Sequence, residues 1–245
     1  MRVIVVDNYE EMSKKAAVMV ASQIHLDPKS ILGLATGSTP IGMYKALIDM
    51  YKNDELDFSE VTSFNLDEYY GLEPSNNQSY AYFMNENLFK HINIDRSKVY
   101  IPNGLAKDVE KECHEYDFLI DSMGGIDIQI LGIGSNGHIG FNEPDINFEA
   151  RTHLVELDEQ TIKDNARFFD SIEAVPTKAI SMGIKTIMQS KKIVLLASGA
   201  NKAEAIRKTI EGKITSDLPA SILQIHKDVV FILDKEAASA LTKTY

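Results

Sequence analysis

Residues 126–144 read IDIQILGIGSNGHIGFNEP, an apolar run that breaks into a loop carrying four glycines. Ile126, Ile128, Ile130 and Ile133 supply the β-branched residues of a buried strand, and Gly132, Gly134, Gly137 and Gly140 then let the backbone turn sharply. The loop gathers His138 and Glu143 at the carboxyl end of that strand. A histidine whose ordinary pKa sits near neutrality, with a carboxylate in reach to orient it, is a pair suited to moving a proton. The same stretch also reads as a glycine turn whose histidine merely caps a backbone group.

Working outward, strand-like and helix-like segments alternate with short connections. A β-branched run at 3–6 is followed over 8–24 by helical spacing of Met12, Ala16, Met19, Val20 and Gln23, with Asn8 as N-cap. Further strands are expected at 31–35, 61–66, 99–101, 153–157, 179–182, 193–197 and 229–233. Helices are expected through Tyr44, Leu47 and Tyr51, over 80–89, 109–123 and 159–167, from 184, over 201–210, and from 235. This alternation predicts an α/β fold with a mainly parallel sheet covered by helices on both faces. With no repeat, low-complexity tract or linker in between, residues 1–245 read as a single domain.

Composition narrows the function classes. The 245 residues are 44% hydrophobic and 25% charged, as in a soluble domain with a real core. The net charge of -11 argues against a nucleic-acid or anionic-membrane partner, both of which need clustered Lys and Arg. No stretch is long enough to span a bilayer and the first residues lack a secretory h-region, so a cytoplasmic location is the default. The one cysteine, Cys113, excludes an intramolecular disulfide and any CxxC knuckle. No His/Asp/Glu spacing resembles a metal site, and His25, His91, His114, His153 and His226 read as helix-end or surface residues.

In sheets of this kind ligands bind beyond the carboxyl ends of the strands, so the residues just past each strand matter most. After the strand at 31–35 come Thr36, Gly37, Ser38, Thr39 and Pro40, whose N–H groups and hydroxyls at a helix start suit an anionic phosphate. A plain N-cap uses the same residues. The Walker lysine and a GxGxxG are absent, which favours a small phosphorylated ligand over a nucleotide. After the strand at 61–66 comes NLDEYYGL, placing Asp67 and Glu68 beside Tyr69 and Tyr70. A carboxylate desolvated by aromatic neighbours can keep a pKa high enough to take a proton from carbon, and an acidic turn is the alternative. Ser198, Gly199, Ala200, Asn201 and Lys202 open a further helix. Arg151 and, in DNARFFD, Arg167 complete the basic candidates, Arg167 as a bidentate phosphate clamp or a surface ion pair.

Taken together, LGLATGSTP, FNLDEYYGL, LGIGSNGHIGFNEP, DNARFFD and SGANKAEA, in that order over most of the chain, closely resemble the glucosamine-6-phosphate deaminase family. The resemblance implies a modified Rossmann-like fold and a deaminating aldose-ketose isomerisation of a small-molecule sugar phosphate, with no cofactor. It implies that His138 shuttles the proton that opens the pyranose, supported by Glu143, and that Asp67 moves the C2 proton to C1 through an enolamine. Phosphate contacts fall, by the same matching, on Thr36, Gly37, Ser38, Thr39, Arg167 and Lys202, with Glu68 as nearby support.

Two departures qualify it. Asn136 stands where some members carry Asp, so it is expected to position by hydrogen bonds and to leave the charge on His138 more dependent on Glu143. Hexameric members have a basic allosteric pocket for N-acetylglucosamine 6-phosphate and a longer C-terminal segment. Here the stretch from Arg151 to Val155 is poor in basic residues and the sequence stops at Tyr245, so an unregulated enzyme, a monomer or small homo-oligomer, is expected. Two alternatives compete with this reading. A 6-phosphogluconolactonase usually continues its glycine-His loop toward Ser-Leu-Phe, whereas this loop continues Phe141, Asn142, Glu143, Pro144. A non-catalytic sugar-phosphate sensor normally carries a DNA-binding domain, for which this acidic chain leaves no room.

Overall fold

The computed structural model describes every residue except 167, 168, 170 and 244. In chain order its elements are β1 (Arg2–Val6), α1 (Tyr9–Leu26), β2 (Ile31–Leu34), α2 (Ile41–Lys52), β3 (Thr62–Asn65), β4 (Asp67–Tyr69), α3 (Tyr80–Asn87), β5 (Val99–Tyr100), α4 (Val109–Ser122), β6 (Ile128–Leu131), β7 (His153–Glu156), α5 (Glu159–Asn165), β8 (Lys178–Ser181), α6 (Ile184–Met188), β9 (Lys192–Ala197), α7 (Ala203–Glu211) and β10 (Val229–Asp234). Seven strands form a parallel sheet in the order β1-β10-β9-β6-β2-β3-β5.

Both faces of this sheet are covered, which is why β9 over 193–197 and β10 over 229–233 are apolar at every step and not only at alternate ones. In β9, Val194 and Leu196 face the core built with Met12, Ala16 and Val20 of α1 and Tyr44 and Leu47 of α2. Ile193, Leu195 and Ala197 face the other core, with Tyr116 and Ile120 of α4, Ile187 of α6 and Ile206 and Ile210 of α7. Burying each Val, Leu, Ile or Met among these stabilises the fold by about 1.5–3 kcal/mol. Asn8 caps α1 as expected, its side chain accepting from Glu11 N at 3.0 Å.

Three expectations need correction. The strands read at 153–157 and 179–182 belong to a second, antiparallel sheet of order β4-β8-β7. Its strand β7 is half solvated, as one face of an antiparallel sheet tolerates. Asp67 and Glu68 are not in a turn: the chain leaves β3 at Leu66 and continues as β4, with Asp67 opposite Ser181. The helix expected from 235 is a run of turns: the Asp234 carboxylate takes Ala237 N at 2.7 Å as an N-cap would, but the six residues 235–240 are too few to offset helix nucleation.

Candidate active site

Strand order reverses direction between β2 and β6: the chain from β2 proceeds toward β3 and β5, and the chain from β6 proceeds toward β9 and β10. Loops leaving such a pair diverge and open a crevice at the carboxyl edge of the sheet. A cleft of about 640 Å³ lies there, lined by Thr36 to Thr39 after β2, Asp67 on β4, His138 and Gly140 after β6, and Ser198, Asn201 and Lys202 after β9. Tyr80 on α3 and Thr161 and Lys163 on α5 complete its wall. The sequence candidates Thr36, Gly37, Ser38, Thr39, Asp67, His138 and Lys202 are therefore brought together. Arg167 lies outside the described residues, and Arg151 is exposed and does not line the cleft.

The loop after β6 folds around its histidine. The His138 ring lies against Gly134 so closely that any Cβ there would meet it, and Gly134 N donates to His138 O at 3.0 Å. Glu143 Oε2 accepts from Asn136 Nδ2 at 2.8 Å and meets His138 Nδ1 at 3.1 Å, while Glu143 Oε1 accepts from Thr161 Oγ1 at 2.6 Å. Burial would raise the Glu143 pKa, but these hydrogen bonds and the nearby imidazole outweigh it and hold the carboxyl below its ordinary value. With Nδ1 engaged by the carboxylate, Nε2 is the ring nitrogen left to exchange a proton with a ligand. Asn136 Oδ1 also accepts from His138 N at 3.2 Å, so the amide bridges the backbone and side-chain partner of the same histidine.

Asp67 is 6% exposed, and its Oδ1 has no hydrogen-bond partner among the described residues. Desolvation, and after it the neighbouring charge of Glu68, pushes its pKa from 3.8 to about 8. Glu68 sits in a different environment. Its carboxylate accepts from Tyr69 N at 2.8 Å, Tyr80 N at 2.9 Å and Ala81 N at 2.9 Å, so it binds the first turn of α3 while Ser79 caps Tyr82 N. Burial raises its pKa and these three N–H groups pull it back. Two adjacent carboxyls thus divide into one that lacks a donor and one that anchors a helix.

The loop after β2 ends at α2, where Pro40 is the N-cap and no side chain caps the helix. The hydroxyls of Thr36, Ser38 and Thr39 are not spent on the helix end. Gly37 takes φ +87°, which an L side chain resists, and turns this loop toward the cleft. Tyr9 braces it, accepting from Gly42 N at 2.8 Å and donating to Ser38 O at 3.1 Å.

Sequence reading missed several participants. Asp234, at the end of β10, accepts from Ser198 Oγ and from Gly199 N at 3.1 Å, and so sets the turn that presents Lys202. Tyr80 packs against Tyr69 and Phe141, with its hydroxyl beside Thr36. Thr161 has no motif around it at all. Away from the cleft, His226, read as a helix-end or surface residue, does stand at the end of the short helix over Pro219–Ile225, but it is buried and bridges Ser190 O and Asp228 N through its two ring nitrogens. Among the described residues no group of His, Cys, Asp and Glu could hold a metal ion, and no helix is long and apolar enough to cross a membrane.

Comparison with known proteins bears on this site. Residues 7–232 match the family described as glucosamine-6-phosphate isomerases/6-phosphogluconolactonase. A glucosamine-6-phosphate deaminase of Clostridium botulinum (strain Loch Maree / Type A3) is 66% identical over 241 residues, spanning 98% of this chain and 99% of its own length. A solved structure of a monomeric glucosamine-6-phosphate deaminase is 52% identical, with a TM-score of 0.96, over 98% of this chain and all of that one. A 6-phosphogluconolactonase from Trypanosoma brucei superposes with a TM-score of 0.79 at 20% identity over 98% of each chain, a likeness of fold alone.

Proposed function

The chain belongs to the family of glucosamine-6-phosphate isomerases and 6-phosphogluconolactonases, and we propose that it acts within it as a glucosamine-6-phosphate deaminase. Glucosamine 6-phosphate and water give fructose 6-phosphate and ammonia. The observation that carries the chemistry is Asp67, a buried carboxyl with an unpartnered oxygen in the same cleft as a His–Glu pair.

In this reading His138 takes the proton of the anomeric hydroxyl and returns one to the ring oxygen, opening the pyranose, while Glu143 stabilises the imidazolium formed in between. Asn136 holds the loop in register through its amide. Asp67 then removes the C2 proton and delivers it to C1 through an enolamine, and hydrolysis of the resulting C2 imine releases ammonia. A base poised near 8 suits abstraction from carbon, and the ammonium group on C2 draws that carboxyl toward its ionised form on binding. Thr36 to Thr39, the start of α2, Lys202 and Arg167 are assigned to the phosphate, where N–H dipoles and cations favour an anion. Glu68 supports the site by fixing α3 and Tyr80.

The whole chain is read as one sugar-phosphate domain working in the cytoplasm, a monomer or small homo-oligomer without allosteric control. The monomeric deaminase at 52% identity supports the monomer in that reading. The test is ammonia release by the purified protein from glucosamine 6-phosphate, run beside 6-phosphogluconolactone as competing substrate. Rapid ammonia formation supports the proposal, and lactone hydrolysis without ammonia refutes it. A sigmoidal rate curve made hyperbolic by N-acetylglucosamine 6-phosphate would remove the claim that control is absent.

A further inference from the structure

The relay carboxylate Glu143 has two oxygens, and they are treated unequally. Oε2 is shared by Asn136 and His138 on its own loop, whereas Oε1 is held at 2.6 Å by a hydroxyl from a separate element, Thr161 on α5. A carboxylate held at one oxygen alone is free to rotate about its terminal torsion, which is broad and shallow. Held at both, its plane is fixed and Oε2 stays aimed at Nδ1. Thr161 is 4% exposed, so the bond is made where water competes poorly. The turn of α5 that delivers it is itself anchored, since Ile162 packs on the apolar cluster of Tyr69, Phe141, Leu157 and Ala179 beside β4.

We propose that Thr161 is a positioning residue, which orients Glu143 toward His138 by occupying the carboxylate oxygen that faces away from the imidazole. The inference rests on the His138–Glu143 pair acting as the proton relay. The hydroxyl also helps to keep Glu143 ionised, because a donor to the charged form favours it. The ionisable group that acts on Glu143 is His138 on its own loop; Asp145, Glu149, His153, Glu156 and Asp158 line a second cavity that Glu143 also borders, and Lys163 follows Thr161 on α5 and lines the main cleft. A substitution at Thr161 leaves all of them in place.

The experiment compares Thr161→Val, which keeps the shape and removes the hydroxyl, with Thr161→Ser, which keeps the hydroxyl. A carbon-13 NMR titration of the Glu143 carboxyl in the ligand-free protein should show its pKa raised in the valine variant and unchanged in the serine variant. With glucosamine 6-phosphate, Thr161→Val should lower kcat by about tenfold, the worth of one hydrogen bond to a charged group, with KM within about twofold, and Thr161→Ser should restore it. A Glu143 titration that is the same in the valine variant, or a loss that serine does not restore, overturns the proposal. The titration needs no turnover, so it decides the role of Thr161 even if the protein released no ammonia, a result that would count against the deaminase reading alone.

Discussion

Replacing Asp67 with asparagine should make the ligand-free protein more stable while removing its activity. Holding this carboxyl at about 8 against its ordinary 3.8 means that the fold prefers the neutral form. The penalty is absent below the unfolded-state value, grows as pH rises from there toward the folded value, and is constant above it. At 1.36 kcal/mol for each tenfold change in proton affinity, keeping Asp67 protonated at pH 7, where the unfolded chain would ionise it, costs the fold about 4 kcal/mol. Asparagine has no charge to desolvate, yet its NH₂ needs an acceptor in a place where Asp67 Oδ1 already has no partner, which returns about 1–3 kcal/mol. A net gain of about 1–3 kcal/mol is expected at pH 7, a rise in Tm of several degrees for a chain this long. Thermal unfolding of both proteins at pH 4, 7 and 9 reads it: the gap should open between pH 4 and 7 and widen slightly to 9. An asparagine variant that is less stable at every pH, or whose advantage is the same at pH 4, refutes the argument that Asp67 is held neutral by burial.

The same contacts bear on pH dependence, stability and phosphate binding. The kcat/KM profile should rise with increasing pH through about 8 as Asp67 ionises, and Glu68→Gln should move that rise to lower pH by removing the neighbouring charge. The same Glu68→Gln variant, with one acceptor oxygen where three N–H groups need two, should lose about 1–2 kcal/mol by denaturant titration. Lys202→Ala should raise KM about tenfold or more with kcat little changed, and an unaltered KM would move the phosphate site elsewhere. Asp234→Asn, which weakens the turn at Ser198 and Gly199, should raise KM in the same direction by a smaller factor; a fall in kcat alone would contradict that assignment.

What the sequence made legible was local. The loop after β6 announces itself because its glycines and its His and Glu lie within a dozen residues, and TGSTP is readable because a helix start has few ways to be built. The parallel sheet emerged from the regular spacing of apolar runs. The second sheet did not, since pairing Asp67 with Ser181 joins distant segments whose local patterns resemble any other short strand. The same distance hid Thr161, whose hydroxyl is ordinary until α5 packs beside Glu143, and Asp234, which reads as the polar end of a strand. His226 ends a helix, as one of its two readings had it, but its burial was hidden because two backbone partners, and no sequence motif, draw it inside. The resemblance already set Asp67 apart from Glu68, but the physical reason, a carboxyl oxygen without a donor beside a carboxylate holding three N–H groups, lies in the fold.

The central claim is that Asp67 is the carbon base of a deaminase. It is tested most directly by following the C2 proton of glucosamine 6-phosphate in deuterated buffer by NMR, with the wild-type protein and with Asp67→Asn. The wild type should release ammonia and place hydrogen at C1 of fructose 6-phosphate, and the variant should bind the sugar phosphate without moving the C2 proton. Rapid loss of that proton in the variant would contradict the account.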